Sequence, residues 1–155
     1  MGKYSWSRMN HLQVGRFAEY YAKMEFALYG FQVYTSEVDD RGIDFIVRHE
    51  TGPFYEVQVK SSRGLNYIFF PKEHFPPSEQ RLAVVIFLNE DEPPDIYLIP
   101  ATTWKTLPEP FVSRDYEGKQ SKPEWGINVS QKNMKFLKKY SFDATIARQF
   151  PAVGQ

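Results

Sequence analysis

Residues 82–88 read Leu-Ala-Val-Val-Ile-Phe-Leu, seven apolar side chains with no polar break. Successive side chains of an extended strand point to opposite faces. A strand of this composition therefore turns neither face to water and is expected at the centre of a sheet, covered on both sides. That demand calls for a layered α/β or α+β protein. A chain of 155 residues has the length to build such a core as one domain, 1–155. An aromatic share of 17% argues against disorder.

The other predicted elements surround this strand. Val14, Phe17, Ala18, Tyr21, Ala22 and Leu28 recur at helical spacing, Asn10 can cap the start, and Gly30 suits a left-handed end, so a helix is expected over residues 10–29. Strands are expected at 31–36, 43–48, 54–61, 66–70, 95–99 and 125–129, with polar turns at Asp39-Asp40-Arg41-Gly42 and Thr51-Gly52-Pro53. A short helix is expected within 100–107, an irregular surface excursion over 108–123, a helix from Ser130 to about residue 140, and a frayed tail beyond Phe150. The sum is a mixed central β-sheet flanked by helices.

Two strands carry the chemistry. On the first, Asp44, Ile46 and Arg48 share a face; on the second, Glu56, Gln58 and Lys60 do, with Tyr55, Val57 and Val59 opposite. Opposed residues of an antiparallel pair lie on the same face. Asp44 faces Gln58 or Lys60 if the turn centres on residue 51 or 52, which needs an odd-numbered loop or a bulge. A slip of one residue sends Asp44 to the other face. The turn signal permits the first register without selecting it. In that register carboxylate and amide oxygens, hard donors suited to Mg²⁺ or Mn²⁺, lie beside a lysine. These are the parts that metal-assisted phosphodiester hydrolysis uses.

Gly42-Ile43-Asp44-Phe45-Ile46-Val47, then Glu56-Val57-Gln58-Val59-Lys60-Ser61-Ser62, with Gly15-Arg16-Phe17-Ala18-Glu19-Tyr20-Tyr21-Ala22 upstream, resembles the PD-(D/E)XK nuclease superfamily. The nearest flavours are its Holliday-junction-resolvase-like and restriction-endonuclease-like groups. The likeness spans roughly residues 12–100 in the order helix, three-strand meander, helix and strand, leaving 101–150 as a C-terminal elaboration. It implies a restriction-endonuclease-like α/β fold and Mg²⁺- or Mn²⁺-dependent cleavage of DNA. By the same resemblance Asp44 is the metal-binding aspartate, Gln58 a ligand through its amide oxygen, Lys60 the catalytic lysine, and Glu19 a support for metal or water. Ile43 stands where the motif has proline. Gln58 stands where it has an acid, which removes one negative charge from the metal site; Glu56, on the same strand face, can offset part of that loss.

Arg16, Arg41, Ser61 and Ser62 are candidate phosphate contacts. Glu19 has a second reading, an i,i+4 pair with Lys23 worth about 0.3 kcal/mol. Lys132, Lys135, Lys138 and Lys139 form a basic stripe, read first as a solvated face opposite Met134, Leu137 and Tyr140 and second as a track for a phosphate backbone. Trp104, Trp125 and Tyr116 are expected to anchor core or loops. His11, His49 and His74 lack zinc-ligand spacing. Without cysteine there are no disulfides or thiolate sites; no glycine loop calls for a nucleotide cofactor. No signal core or membrane-length apolar window is present, so a cytoplasmic setting is expected. Lys and Arg number 19, as do Asp and Glu. That balance and Gln58 favour the alternatives of a catalytically inactive nucleic-acid-binding module or a protein-interaction component. A homodimer is compatible with cutting two strands.

Overall fold

The structure is a computed structural model and describes residues 2–35, 37 and 41–154. Helix α1 (His11–Leu28) leads into strands β1 (Gln32–Thr35), β2 (Phe45–Arg48) and β3 (Phe54–Arg63). Then come β4 (Ile68–Pro71), β5 (Arg81–Leu88), β6 (Asp95–Pro100), α2 (Thr103–Thr106), β7 (Phe111–Arg114), β8 (Glu124–Ile127), α3 (Met134–Leu137) and α4 (Phe142–Gln149). A five-stranded sheet has the order β1-β2-β3-β5-β6, parallel only between β3 and β5. A three-stranded antiparallel sheet has the order β4-β8-β7. Among the described residues no helix is long and apolar enough to cross a membrane.

β5 is buried along both faces, as its composition demanded. Leu82, Val84, Ile86 and Leu88 enter a core with α1 and α4, while Ala83, Val85 and Phe87 enter a second core with the small sheet. The first core centres on Phe26, fully buried with its ring edge-on to Phe31, Phe45 and Phe142. The second centres on Trp104, which packs on Phe70, Phe75 and Phe111 and donates to the Gly126 carbonyl (3.0 Å).

α1 begins where its sequence says it should. Asn10 Oδ1 accepts from the Gln13 N–H, the Gln13 side chain accepts from the Asn10 N–H, and Gly30 follows with φ of +85°. The hairpin takes the odd-numbered loop, residues 49–53, and pairs Phe45 with Val57 and Ile46 with Glu56. Arg48 clamps the turn by donating to the carbonyls of Gly52 (2.8 Å) and Thr51 (3.3 Å).

Several expectations are corrected. The crossover from β3 to β5 runs through β4 and one 3-10 turn (Lys72–His74), where a helix was expected. β7 lies inside the supposed irregular excursion, its Phe111 buried against β8 and Trp104. The helix expected from Ser130 shrinks to α3 and a 3-10 turn (Lys138–Tyr140), because Ser130 caps only the turn at Asn133. α4 was not foreseen; Phe142 and Ile146 dock it on α1. The tail is a 3-10 turn (Pro151–Gly154) with Val153 packed on the first core. Ser36, Asp39 and Asp40 lie outside the described residues.

α1 and α4 also meet through the Tyr29 hydroxyl, which donates to Asp143. Nearby, burial and the Asp143 charge raise the Glu25 carboxyl above its ordinary range. The folded state thus holds the Glu25 proton more tightly than the unfolded chain, and its contribution is present at low pH and lost as pH rises through the folded pKa. Glu25→Gln should therefore raise the melting temperature at pH 7, with the gain vanishing by pH 4. Phe26→Ala should cost about 3–5 kcal/mol in urea unfolding, the range for emptying a large aromatic site in a close-packed core.

Candidate active site

The site is made by a difference in strand length. β2 stops pairing at Phe45, opposite Val57, while β3 runs on to Arg63 and stays paired to β5 on its other edge. From Gln58 onward the β2-side edge of β3 is therefore open. Asp44, the residue just before β2, partly closes it: its Oδ2 accepts from the Val59 N–H (2.6 Å), while its own N–H donates to the Val57 carbonyl (2.9 Å). The carboxylate thus occupies the ladder position that a further β2 carbonyl would have filled.

Gln58 stands between Val57 and Val59, the two β3 residues that Asp44 hydrogen-bonds. Gln58 is 7% exposed, and its Oε1 is buried with no hydrogen-bond partner among the described residues. An orphaned buried amide oxygen costs about 1–3 kcal/mol unless something ligates it. Gly42 makes the room above this amide. With φ of +72°, a Cβ there would lie 2.9 Å from His74 Cβ and 3.5 Å from Gln58 Nε2.

Lys60 follows two residues on, the same face of β3. Its Nζ lies 6.0 Å from the Phe70 ring centroid, and it makes no ion pair among the described residues. The small sheet covers this face, as it covers Ala83 and Val85 beside it on β5, which is why Gln58 is buried. Glu19 reaches β3 from α1, on the side of Val57 and Val59. Glu19 and Lys60 both border a cleft of about 710 Å³ between the first half of α1 and the open edge of β3. Neither Asp44 nor Gln58 lines this cleft; Asp44 is joined to it through its hydrogen bond to Val59, which does.

The remaining candidates separate. Arg16 borders the cleft and pairs with Glu19 (3.3 Å), so the Glu19 partner is Arg16 and not Lys23, whose Nζ lies 5.6 Å from the Phe45 ring. Ser61 borders the cleft; the Ser62 hydroxyl accepts from Asn66 Nδ2 (3.0 Å). Arg41 is exposed next to Gly42. Glu56 is engaged elsewhere, in an ion pair with Arg81 (2.6 Å), its register partner on β5.

Sequence reasoning missed Arg63 and His11, which also border the cleft. Arg63 donates to the Met9 carbonyl (2.8 Å), fixing the segment before α1 against the end of β3. The signal for it was parity: Val59, Ser61 and Arg63 continue one strand face, but the strand was ended at Ser61. The cleft gathers Arg16, Lys60 and Arg63 against one acid, Glu19, at the positive end of an 18-residue helix. The chain's zero net charge conceals this local excess.

Three cations and a helix start suit a phosphate, and the Asp44 carboxylate and orphaned Gln58 oxygen are hard donors that fit Mg²⁺ or Mn²⁺. Among the described residues no three His, Cys, Asp or Glu side chains gather as a metal group, as follows from glutamine standing at position 58 and Glu56 facing Arg81.

No protein-family profile and no curated protein matches the chain. Among solved structures, the bacterial homing endonuclease I-Ssp6803I aligns over 93% of this chain and 97% of its own, with a TM-score of 0.58 and 16% identity. The Holliday junction resolvase Hjc of the archaeal hyperthermophile Archaeoglobus fulgidus aligns over 74% of this chain and 83% of its own, with a TM-score of 0.46 and 11% identity. The first likeness establishes the fold. The chain has a restriction-endonuclease-like α/β fold.

Gly42→Ala should cost about 1–2 kcal/mol, the penalty for an L side chain in left-handed backbone, before the contact with His74 is counted. A melting temperature lowered by several degrees would register it; an unchanged one would show that the loop relaxes freely.

Proposed function

We propose that this chain is a nuclease that uses Mg²⁺ or Mn²⁺ to hydrolyse DNA phosphodiester bonds endonucleolytically. The observation that carries the reading is the buried, unpartnered Gln58 Oε1, on the residue next to Val59, whose N–H donates to the Asp44 carboxylate, at the point where β3 loses its neighbour. The fold shared with a homing endonuclease supports it.

Asp44 and Gln58 would hold the cation. A bound divalent ion acidifies water and offsets phosphate charge. Lys60 presents its ammonium to the charge that grows on the phosphoryl oxygens. Glu19, across the cleft, accepts a hydrogen bond from the attacking water and so orients it. Arg16 and Arg63 seat the neighbouring phosphate, and the Ser61 hydroxyl donates to it. Two copies of the chain would cut the two strands of a duplex.

Plasmid cleavage in Mg²⁺ or Mn²⁺ tests this. Asp44→Ala and Lys60→Ala should each lower the rate by about 10²-fold or more, the usual scale for removing one charge-stabilising group. Activity indifferent to both would sink the site assignment. Gln58→Glu should tighten Mg²⁺ binding, since it returns the missing negative charge beside Asp44.

A second reading, a nucleic-acid-binding module without catalysis, is favoured by Gln58 itself and by the pairing of Glu56 with Arg81. Metal titration separates the two: DNA binding retained with no metal uptake at millimolar Mg²⁺ or Mn²⁺ supports the module.

A further inference from the structure

A larger cavity, about 940 Å³, lies at the opposite end of β3 and β5 from the Lys60 cleft. Its floor is Tyr55 and Leu82, near the starts of those two strands. One wall is α2 with the turns around it, bringing Thr103, Thr106 and Lys105; the other is the end of the basic stripe and α4, bringing Lys139, Arg148 and Phe150. Tyr55 and Lys60 are five residues apart on one strand, about 17 Å at the usual rise per residue, so a mononucleotide-sized ligand cannot touch both sites.

The charge in this cavity is unbalanced. Lys105, Lys139 and Arg148 face a single acid, Glu79, and among the described residues none of the three is in an ion pair. Two of them flank the same side chain: Lys139 Nζ lies 5.4 Å and the Arg148 guanidinium carbon 5.7 Å from the centre of the Tyr140 ring. Arg148 is fixed further by donating to the Lys139 carbonyl (2.9 Å). Lys139, the last member of the exposed basic stripe, also lines this cavity. Gathering like charges without carboxylates is unfavourable until an anion joins them.

The rest of the lining specifies the anion. Tyr55 and Phe150, half-buried and edge-on to each other, offer an aromatic surface that a bare phosphate would leave uncovered, and Thr103 and Thr106 add hydroxyls. A flat aromatic group bearing phosphate satisfies both halves, and the volume lies within the range of small-molecule sites, about 300–1,000 Å³. We propose that this cavity binds a nucleoside phosphate, at a site separate from the nuclease centre.

Isothermal titration of the full chain with each of the four common ribonucleoside diphosphates tests this without any cleavage assay. At least one should bind. The double variant Lys105→Glu/Lys139→Glu, both exposed and neither in an ion pair, should weaken it at least tenfold with an unchanged melting temperature. Asp44→Ala should leave it unaltered, which keeps this test independent of the nuclease reading. No binding of any of the four at millimolar concentration would overturn the proposal, as would full affinity in the double variant. Inorganic phosphate binding as tightly as the best nucleotide would reduce the cavity to a bare anion site and overturn it too. Binding of an unphosphorylated oligo-dT strand through Lys105 and Lys139, with no nucleotide bound, would assign the cavity to a nucleic-acid backbone instead.

Discussion

Burial of β5 on both faces is the constraint from which the rest of this structure follows. One face needs α1 and α4, and the other needs the small sheet, so two cores form on either side of one strand. β3 lies parallel beside β5 and inherits both layers. That inheritance buries Gln58, a residue whose alternation would otherwise have turned it to water. The polar atoms of the site are costly where they stand because the layers around them are apolar.

Within that frame a mismatch in strand length creates the site. Had β2 continued beside β3, the ladder would have consumed the Val59 N–H and filled the space that Arg16, Glu19 and Arg63 now border. Asp44 takes over a ladder bond with its side chain, fixing one carboxylate oxygen at a strand edge without a covering strand. Gly42 leaves room for the amide, and its positive φ turns the chain into β2. The local cation excess comes from three distant parts of the chain, Arg16, Lys60 and Arg63, which is how a chain of zero net charge still offers a basic cleft.

Legibility varied with how local the cause was. The α1 caps and the buried run of β5 depend on neighbours within a few residues, and they stood as read; the hairpin register, which the turn signal left open, did not declare itself in the sequence. β7 and α4 did not, because their apolar residues are few and earn their places only against Trp104 and against α1. Glu19 and Lys60 were legible as types of residue, but the cleft they share was not, nor was Arg63, which needed the full length of β3. Glu56 looked like Gln58 in sequence; only the parallel register with β5, which sets Arg81 opposite it, distinguishes the two.

By itself the sequence determined that a strand at residues 82–88 had to be covered twice, that α1 is capped by Asn10 and ends before Gly30, and that Gln58 and Lys60 share a face of one strand, with Asp44 at the start of the strand before it. These are matters of periodicity, capping and turn chemistry, which act over short separations. Tertiary structure alone decided that the odd register is taken, that Gln58 is buried while Glu56 is neutralised, and that a second cation-lined cavity joins Lys105, Lys139 and Arg148. Those outcomes depend on which strand lies beside which, and that is set by the packing of whole layers, a balance to which no short segment contributes enough free energy alone.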